Sequence, residues 1–153
     1  MNRIIEIGIV PVVRAQSSED ALRAAAAITD GGVPVIEITM TVPGAIRAIE
    51  EVVREYGDKV LAGAGTVLDA ETARACILAG AQFVVSPSLH FDTITMCHRY
   101  GKVAIPGALT PTEVISAWQA GADFVKIFPC GDFGGAKYLK SLKAPFPDVQ
   151  MIP

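Results

Sequence analysis

Short runs of apolar and β-branched residues recur along this chain at nearly constant spacing. Seven runs begin 20 to 26 residues apart, and alanine-rich segments with helical spacing lie between them. Strand, helix and strand repeated at this interval predict βα units and a parallel sheet. The runs are almost continuously hydrophobic, as is typical of parallel strands buried on both faces. The predicted strands are Ile9–Val13, Val35–Thr39, Val60–Ala62, Phe83–Val85, Val103–Ile105, Phe124–Phe128 and Val149–Ile152.

Helix boundary signals fall between these runs. Ser18 and Asp69 precede helical segments and are predicted N-caps. Pro43 and Pro111 suit the first turns of two further helices. Glycines stand where the helices are expected to stop, at Gly32, Gly57, Gly80, Gly101 and Gly121.

The repeats favour an α/β fold of one domain, residues 1–153, because no linker or change of composition divides the chain. Two architectures remain open at this point, an open doubly wound sheet and a (β/α)8 barrel. The chain holds about six βα units and a seventh strand. A full barrel usually needs at least about 200 residues. In either architecture the chain looks cut short, and the sequence does not say how the shortening arose.

Composition and charge exclude several classes of function. The net charge is −3 and no basic patch with interleaved aromatics occurs, so a nucleic-acid partner is not expected. No apolar run approaches the length of a membrane span, and Glu6 interrupts the N-terminal apolar segment, which argues against a signal peptide. Cys76, Cys97 and Cys130 are far apart, which indicates buried, reduced thiols in a cytoplasmic protein. His90 and His98 have no carboxylates at metal-site spacing, so no metal is expected.

Two charged residues interrupt predicted strands. Lys126 lies in the centre of FVKIF, and Glu37 lies between two isoleucines in VIEIT. Strand side chains alternate in direction, so each charged residue faces opposite to its immediate neighbours. In a barrel the neighbours would face the helices, and Glu37 and Lys126 would face inward and could meet. Arg14 closes the first strand, and the glycine-rich turn GAGT, residues 63–66, closes the third, at the end where sites form in parallel α/β folds.

A lysine desolvated among Val, Ile and Phe is a candidate amine nucleophile, because desolvation favours the neutral form that attacks a carbonyl. A nearby carboxylate can move protons. This combination suits Schiff-base chemistry. The alternative is a structural ion pair between Glu37 and Lys126, which would also perturb pKa values. Cys130 follows a proline in a loop and is interpreted as a bystander.

A set of motifs in order along the chain carries a family resemblance. The motifs are VPVVR, GGVPVIEITMTVPGA, LAGAGTV, VVSP, IPGALTPTE, GADFVKIFP and KAPFP. From about residue 8 to residue 153 the chain resembles the 2-keto-3-deoxy-6-phosphogluconate (KDPG) aldolase family, which includes the 4-hydroxy-2-oxoglutarate (KHG) aldolases. The resemblance implies a class I aldolase on a (β/α)8 barrel, usually trimeric, that uses no metal or other cofactor. Its substrate would be a small keto acid.

The resemblance also implies roles for individual residues. Lys126 would form the Schiff base, and Glu37 would be the general acid and base, working through a water. Arg14 would bind the substrate carboxylate and Thr66 would lie near the keto acid. Thr41 stands where some members carry another arginine, so the carboxylate contacts and fine specificity stay open. The remaining candidate substrate-binding residues are Pro87, which ends the fourth predicted strand, and Phe128, which follows the lysine strand.

The implied reaction is the reversible cleavage of KDPG to pyruvate and glyceraldehyde 3-phosphate, or of KHG to pyruvate and glyoxylate. Family members continue past the equivalent of Pro153 with loops that hold the substrate phosphate. A molecule ending there is therefore expected to be inactive or barely active. Two other functions remain possible. A phosphosugar isomerase or epimerase would use paired carboxylates or a metal and form no imine, and a truncated barrel could serve as a non-catalytic assembly module.

Overall fold

The computed structural model describes residues 2–153, which form helices alternating with short parallel strands. The helices are α1 (Asn2–Ile7), α2 (Ser18–Asp30), α3 (Ala45–Tyr56), α4 (Ala70–Leu78), α5 (Phe91–Arg99), α6 (Pro111–Gln119) and α7 (Ala136–Lys143). The strands are β1 (Val12–Val13), β2 (Val35–Thr39), β3 (Leu61–Gly65), β4 (Phe83–Val85), β5 (Val103–Ile105), β6 (Gly107–Ala108), β7 (Val125–Ile127) and β8 (Met151–Ile152). No helix within residues 2–153 is long and apolar enough to cross a membrane.

The strands form two parallel sheets in sequence order. One sheet has the order β1-β2-β3-β4-β5 and the other has the order β6-β7-β8. Pro106 separates them, because a proline has no N–H to donate to a ladder. Its carbonyl still accepts a hydrogen bond from the Lys126 N–H at 2.8 Å, so β7 follows directly beside the broken strand. The α/β fold with parallel strands predicted from the repeats is confirmed.

The two faces of the strands belong to different cores. On the outer face Ile36 and Ile38 of β2 pack with the apolar sides of α2 to α5, and Val125 and Ile127 of β7 pack with α6 and α7. The opposite face, called the inner face below, carries a separate cluster closed at one end by Ile4 of α1. That cluster consists of Ile4, Val35, Phe83, Val85, Ile105 and Phe124. Alternation along each strand therefore separates the helix-facing side chains from the inner ones.

Several predicted boundaries are corrected by the structure. The first strand is only Val12–Val13, and Ile9, predicted to lie in it, is 57% exposed. The third strand runs on to Gly65, so GAG is strand rather than turn. The fifth predicted strand continues past Pro106 as β6, and α1 was not predicted at all.

The helix starts show which local signals were sufficient. Asp69 accepts from the Thr72 N–H, and Thr110 forms a capping box with Pro111 in the first turn, so both predicted starts are confirmed. Ser17, not Ser18, caps α2, since its hydroxyl accepts from the Asp20 N–H. Pro43 lies before α3 rather than in its first turn, because the N-cap of that helix is Gly44, with φ of 72°.

Candidate active site

Glu37 is held at the centre of β2 on the inner face. Its side chain is 3% exposed, and its neighbours Ile36 and Ile38 are fully buried on the outer face. No other carboxylate within residues 2–153 is buried. One of its oxygens, Oε1, is buried without a hydrogen-bond partner. An unpartnered buried polar atom is costly, so this oxygen is a natural place for a proton or a polar ligand.

The protonation of Glu37 is set by burial and opposed by two cations. Burial raises the pKa of its carboxyl group, because the charged form loses hydration. The charges of Lys126 and then Arg14 act in the opposite direction and only partly offset the burial. A carboxyl group with a raised pKa exchanges protons closer to neutral pH, as a general acid and base must.

Lys126 lies on the inner face of β7 and is half-buried. Val125 and Ile127, which flank it, are fully buried against the helices. Its Nζ lies 5.4 Å from the centre of the Phe128 ring, which is within the range of a cation–π interaction. The predicted inward direction of this lysine is therefore confirmed by its surroundings.

Glu37 and Lys126 line one cavity of about 40 Å³ between β1, β2 and β7. Its other lining residues are apolar side chains or proline: Val10, Val12, Val85, Ile105, Ile152 and Pro153. Within residues 2–153 the ion pairs closer than 4 Å are Arg23–Asp20 and Arg47–Glu51, both on helix surfaces. Glu37 and Lys126 thus share a site without forming the direct ion pair that the structural alternative requires. A cavity of this size has room for a water molecule.

The end of β2 is tied to the end of β1 through two threonines. The buried Thr39 donates from Oγ1 to the carbonyl oxygen of Val13 at 3.2 Å, and its Oγ1 lies 2.7 Å from Oγ1 of Thr41. A hydroxyl has one hydrogen, so Thr41 is the donor in the second bond. Thr41 is exposed and keeps only acceptor capacity toward solvent. Arg14, directly after Val13, is exposed at the same end of the strands.

Thr39 is a site residue that sequence reasoning missed. It is fully buried, two residues beyond Glu37 on the same face. A threonine in a β-branched strand is an ordinary strand former, so its type gave no signal. Its position two residues after the glutamate did contain the information, because side chains at i and i+2 share a face.

Thr66 and Pro87 end the neighbouring strands. Thr66 follows β3 with φ of 57°, which is unusual for a β-branched residue. Such a conformation costs about 1–3 kcal/mol and tends to persist at functional sites. Thr66 and Pro87 are both half-buried, while Phe128 is 43% exposed beside Lys126. All seven candidate residues therefore lie within β2 or β7 or just past the end of a strand.

Other polar groups lie elsewhere in the molecule. The three cysteines are buried, as predicted, and burial raises the pKa of Cys76 to about 11 and that of Cys97 to about 12. Residues 2–153 contain no group of three or more His, Cys, Asp or Glu side chains placed to hold a metal ion. Three larger grooves, of about 600, 370 and 200 Å³, contain none of the candidate residues. The small cavity is the one that contains both Glu37 and Lys126.

Comparisons with known proteins show the family to which this chain belongs. The family model described as "Aldolase: KDPG and KHG aldolase" matches residues 1–153. The chain is 37% identical over 142 residues to the 2-dehydro-3-deoxy-6-phosphogalactonate aldolase of Escherichia coli (strain K12), a match covering 93% of this chain and 69% of that protein. It is also 37% identical over 147 residues to the 2-dehydro-3-deoxy-phosphogluconate aldolase of Treponema pallidum (strain Nichols), with 96% and 70% covered.

Solved structures give the same result. A KDPG aldolase from Legionella pneumophila, with pyruvate captured as a covalent carbinolamine intermediate, is 33% identical with a TM-score of 0.86, covering 94% of this chain and 69% of that one. An N-acetylmannosamine-6-phosphate 2-epimerase from Clostridium perfringens is 16% identical with a TM-score of 0.59, over 76% of this chain and 58% of that one, which shows a shared fold alone. The chain belongs to the KDPG and KHG aldolase family, whose members are carbon–carbon lyases.

Proposed function

We propose that this chain is a class I aldolase that cleaves KDPG to pyruvate and glyceraldehyde 3-phosphate, or KHG to pyruvate and glyoxylate. The observation that carries the proposal is the cavity shared by Lys126 and Glu37, in which the carboxylate has an unpartnered oxygen and no direct ion pair forms. Membership of the aldolase family supports the same reaction.

The first half of the reaction needs an amine and a proton donor. The neutral amine of Lys126 would attack the C2 carbonyl and give a carbinolamine. Protonation of the carbinolamine hydroxyl releases water and leaves the imine. Glu37 would donate this proton, directly or through a water, since burial raises its pKa and it is the one carboxylate in the shared cavity.

The second half reverses the direction of proton transfer. The C4 hydroxyl would lose its proton to the Glu37 carboxylate as the C3–C4 bond breaks and the aldehyde leaves. The electron pair of that bond passes to C3, with the iminium nitrogen as the electron sink, which gives an enamine. Return of the proton to C3 and addition of water then release pyruvate and free Lys126. One carboxyl group can serve every proton transfer, provided that its pKa lies near the working pH.

The remaining candidates would bind the substrate. Arg14 would pair with the substrate carboxylate, since a guanidinium offers two parallel donors to it. Thr66, held at an unusual φ just past the end of β3, would contact the keto acid. Phe128 and Pro87 would form apolar walls around it. Thr41 would accept a hydrogen bond from a substrate hydroxyl or from Arg14. It would not donate one to a carboxylate, because its hydroxyl already donates to Oγ1 of Thr39.

The phosphogalactonate analogue of KDPG is a second candidate substrate. It differs from KDPG in configuration at C4, and the two curated relatives at 37% identity carry the names of the two different aldolases. An acceptor at Thr41 would respond to the position of a hydroxyl group. We therefore propose that the preference between the two epimers is decided at this end of β2.

The finer structural predictions are carried forward as part of the proposal. We propose that residues 1–153 form one domain of a (β/α)8 barrel and that the protein associates as a trimer. The cytoplasmic location and the truncation of the barrel stay predictions. An isomerase or epimerase would need paired carboxylates or a metal, whereas Glu37 is the one carboxylate buried within residues 2–153. This alternative is not favoured.

Release of pyruvate tests the proposal. Purified chain is mixed with KDPG, its C4 epimer or KHG, and pyruvate is followed by reduction with lactate dehydrogenase. We expect slow release from at least one substrate, in keeping with the low activity expected above, and no release above background from the Lys126→Ala variant. The matched control is Lys102→Ala. Lys102 lies just before β5, and its Nζ donates a hydrogen bond to Gln82. Epimerisation without pyruvate would support the isomerase alternative, and no turnover by a folded chain would support the assembly module.

A further inference from the structure

The side chain of Glu37 leans along its strand toward the end of β3. In the register between β2 and β3, Glu37 is paired with Gly63 and Thr39 is paired with Gly65. The carboxyl group of Glu37 nevertheless lies over Gly65, one inner-face position nearer the carboxyl end of the sheet. Catalytic groups of parallel α/β folds gather at that end.

Gly65 leaves the space that the carboxyl group occupies. A Cβ placed on Gly65 would lie 2.8 Å from Cγ and 2.6 Å from Cδ of Glu37, and it would overlap Oε1. Carbon atoms in contact prefer separations of about 3.5–4.0 Å, so any side chain at this position would displace the carboxyl group. The three nearest atoms to that Cβ all belong to Glu37.

Backbone conformation does not explain this glycine. The glycines of this chain with positive φ do not include Gly65, whose backbone any residue could adopt. Gly63 is a useful comparison, because it lies on the same strand and face and also has an ordinary φ. The three atoms nearest to a Cβ on Gly63 all belong to the ring of Phe83. The two glycines therefore make room for different side chains.

We propose that Gly65 is a positioning residue for Glu37. Its missing side chain forms a slot in β3 that holds the carboxyl group in the cavity shared with Lys126. The slot keeps the carboxyl group among apolar walls, where the charges of Lys126 from β7 and of Arg14 after β1 act on it. The catalytic consequence rests on the proposed function, whereas the placement of the carboxyl group does not.

The test compares Gly65→Ala with Gly63→Ala by two measurements. In the first, the Glu37 carboxyl group is titrated by ¹³C NMR of side-chain-labelled protein, with its signal assigned through Glu37→Gln. Gly65→Ala pushes the carboxyl group out of the slot, so its raised pKa should fall toward the ordinary value of glutamate. Gly63→Ala should leave this pKa in place. An unchanged Glu37 pKa in folded Gly65→Ala overturns the proposal.

The second measurement is pyruvate release as a function of pH. We expect kcat/KM of Gly65→Ala to fall about 100-fold, as a displacement of about 1 Å can cause, and the acidic limb of its profile to move to lower pH. Gly63→Ala should keep the limb of the unmutated chain. Because the NMR titration needs no turnover, failure of the proposed function and failure of the Gly65 proposal give different results.

If Gly65→Ala lowers the stability of the fold, a double variant shows whether contact with Glu37 is the cause. Glu37→Ala removes the three atoms that the added Cβ would meet. Gly65→Ala should lower the midpoint of thermal unfolding, and this decrease should be largely absent in the Glu37→Ala background. Gly63→Ala should cost the same in both backgrounds. If Gly65→Ala is as destabilising without the glutamate side chain as with it, the slot does not exist and the proposal is wrong.

Discussion

The two charged residues of the site are held by very different parts of the sheet. Glu37 lies in β2, a five-residue strand whose residues are all buried, beside the equally long β3. Lys126 lies in β7, a three-residue strand between the two-residue strands β6 and β8. The carboxylate is 3% exposed, while the lysine is half-buried beside a phenylalanine that is 43% exposed.

The difference matches the work proposed for each group. Glu37 needs a stable, water-poor environment, because its raised pKa depends on burial. Lys126 must admit a keto acid and change from amine to carbinolamine to imine, so it needs an accessible position. In the proposed mechanism the long strands thus hold the group that would exchange protons, and the short strands hold the group whose covalent bonds would change.

Among the variants that test this difference, Glu37→Gln should have the largest effect on turnover. The amide keeps the shape of the side chain but cannot exchange protons, so turnover should fall by about 10²–10⁴-fold. Imine formation with pyruvate should continue at a lower rate, since the amine is intact. The measurements are kcat in the pyruvate assay and the rate of borohydride trapping. A turnover rate within a factor of about two of that of the unmutated chain would show that Glu37 does not carry out the proton transfers.

Arg14→Gln tests whether Arg14, which is exposed at the end of β1, binds the substrate carboxylate. Loss of the guanidinium should raise KM about tenfold with little change in kcat, because the substrate carboxylate is bound equally in the ground and transition states. The charge of Arg14 lowers the pKa of Glu37, so the acidic limb of the pH profile should move slightly to higher pH. Arg14→Lys should restore part of the affinity. An unchanged KM would exclude Arg14 from substrate binding.

Thr39→Val tests whether the link between β1 and β2 contributes to stability. The variant keeps the shape but removes the bond to the Val13 carbonyl, which costs about 1 kcal/mol. For a chain of this size, the thermal midpoint should fall by about 2–4 °C. Thr95→Val is a matched control, because Thr95 is exposed and bonds only the preceding turn of its own helix. Equal midpoints for the two variants would show that the buried bond contributes nothing.

The smallest expected effect is a pH dependence of stability. The folded state raises the pKa of Glu37, so ionisation of this group opposes folding. The penalty begins as pH rises through the unfolded value, about 4.3, and is complete above the raised folded value. Glu37→Gln does not ionise. Its thermal midpoint relative to the unmutated chain should therefore improve as pH rises through this window.

The control for this pH effect is Glu50→Gln on the exposed side of α3. Melting curves of both variants and the unmutated chain are compared at about pH 4, 6 and 8. A midpoint difference for Glu37→Gln that changes no more with pH than that of Glu50→Gln would contradict the assigned environment of the carboxyl group.

The inner direction of both charged residues was predictable because strand alternation is a strict geometric rule. Glu37 and Lys126 each stand between apolar neighbours that a parallel sheet must bury under helices, so the opposite face was the one left for charge. Two helix starts carried their signal in a single residue, Asp69 as the N-cap of α4 and Pro111 in the first turn of α6.

Other features depend on three-dimensional contacts that no local pattern contains. The bond from Thr39 to Val13 joins residues 26 positions apart. The slot at Gly65 follows from the register of two strands and the lean of one side chain. Pro43 has the right residue type for a first turn, but Gly44 with positive φ starts the helix one step later. Sequence therefore indicated the two inward-facing charged side chains better than the backbone that supports them.

Trapping of the imine tests the central claim most directly. The chain is treated with pyruvate and sodium borohydride, and its intact mass is compared with those of Lys126→Ala and Lys102→Ala. We expect a pyruvate-sized adduct on the unmutated chain and on Lys102→Ala, mapped to Lys126, and none on Lys126→Ala. The absence of an adduct on a folded chain, or an equal adduct on Lys126→Ala, would contradict the assignment of Lys126 as the Schiff-base lysine.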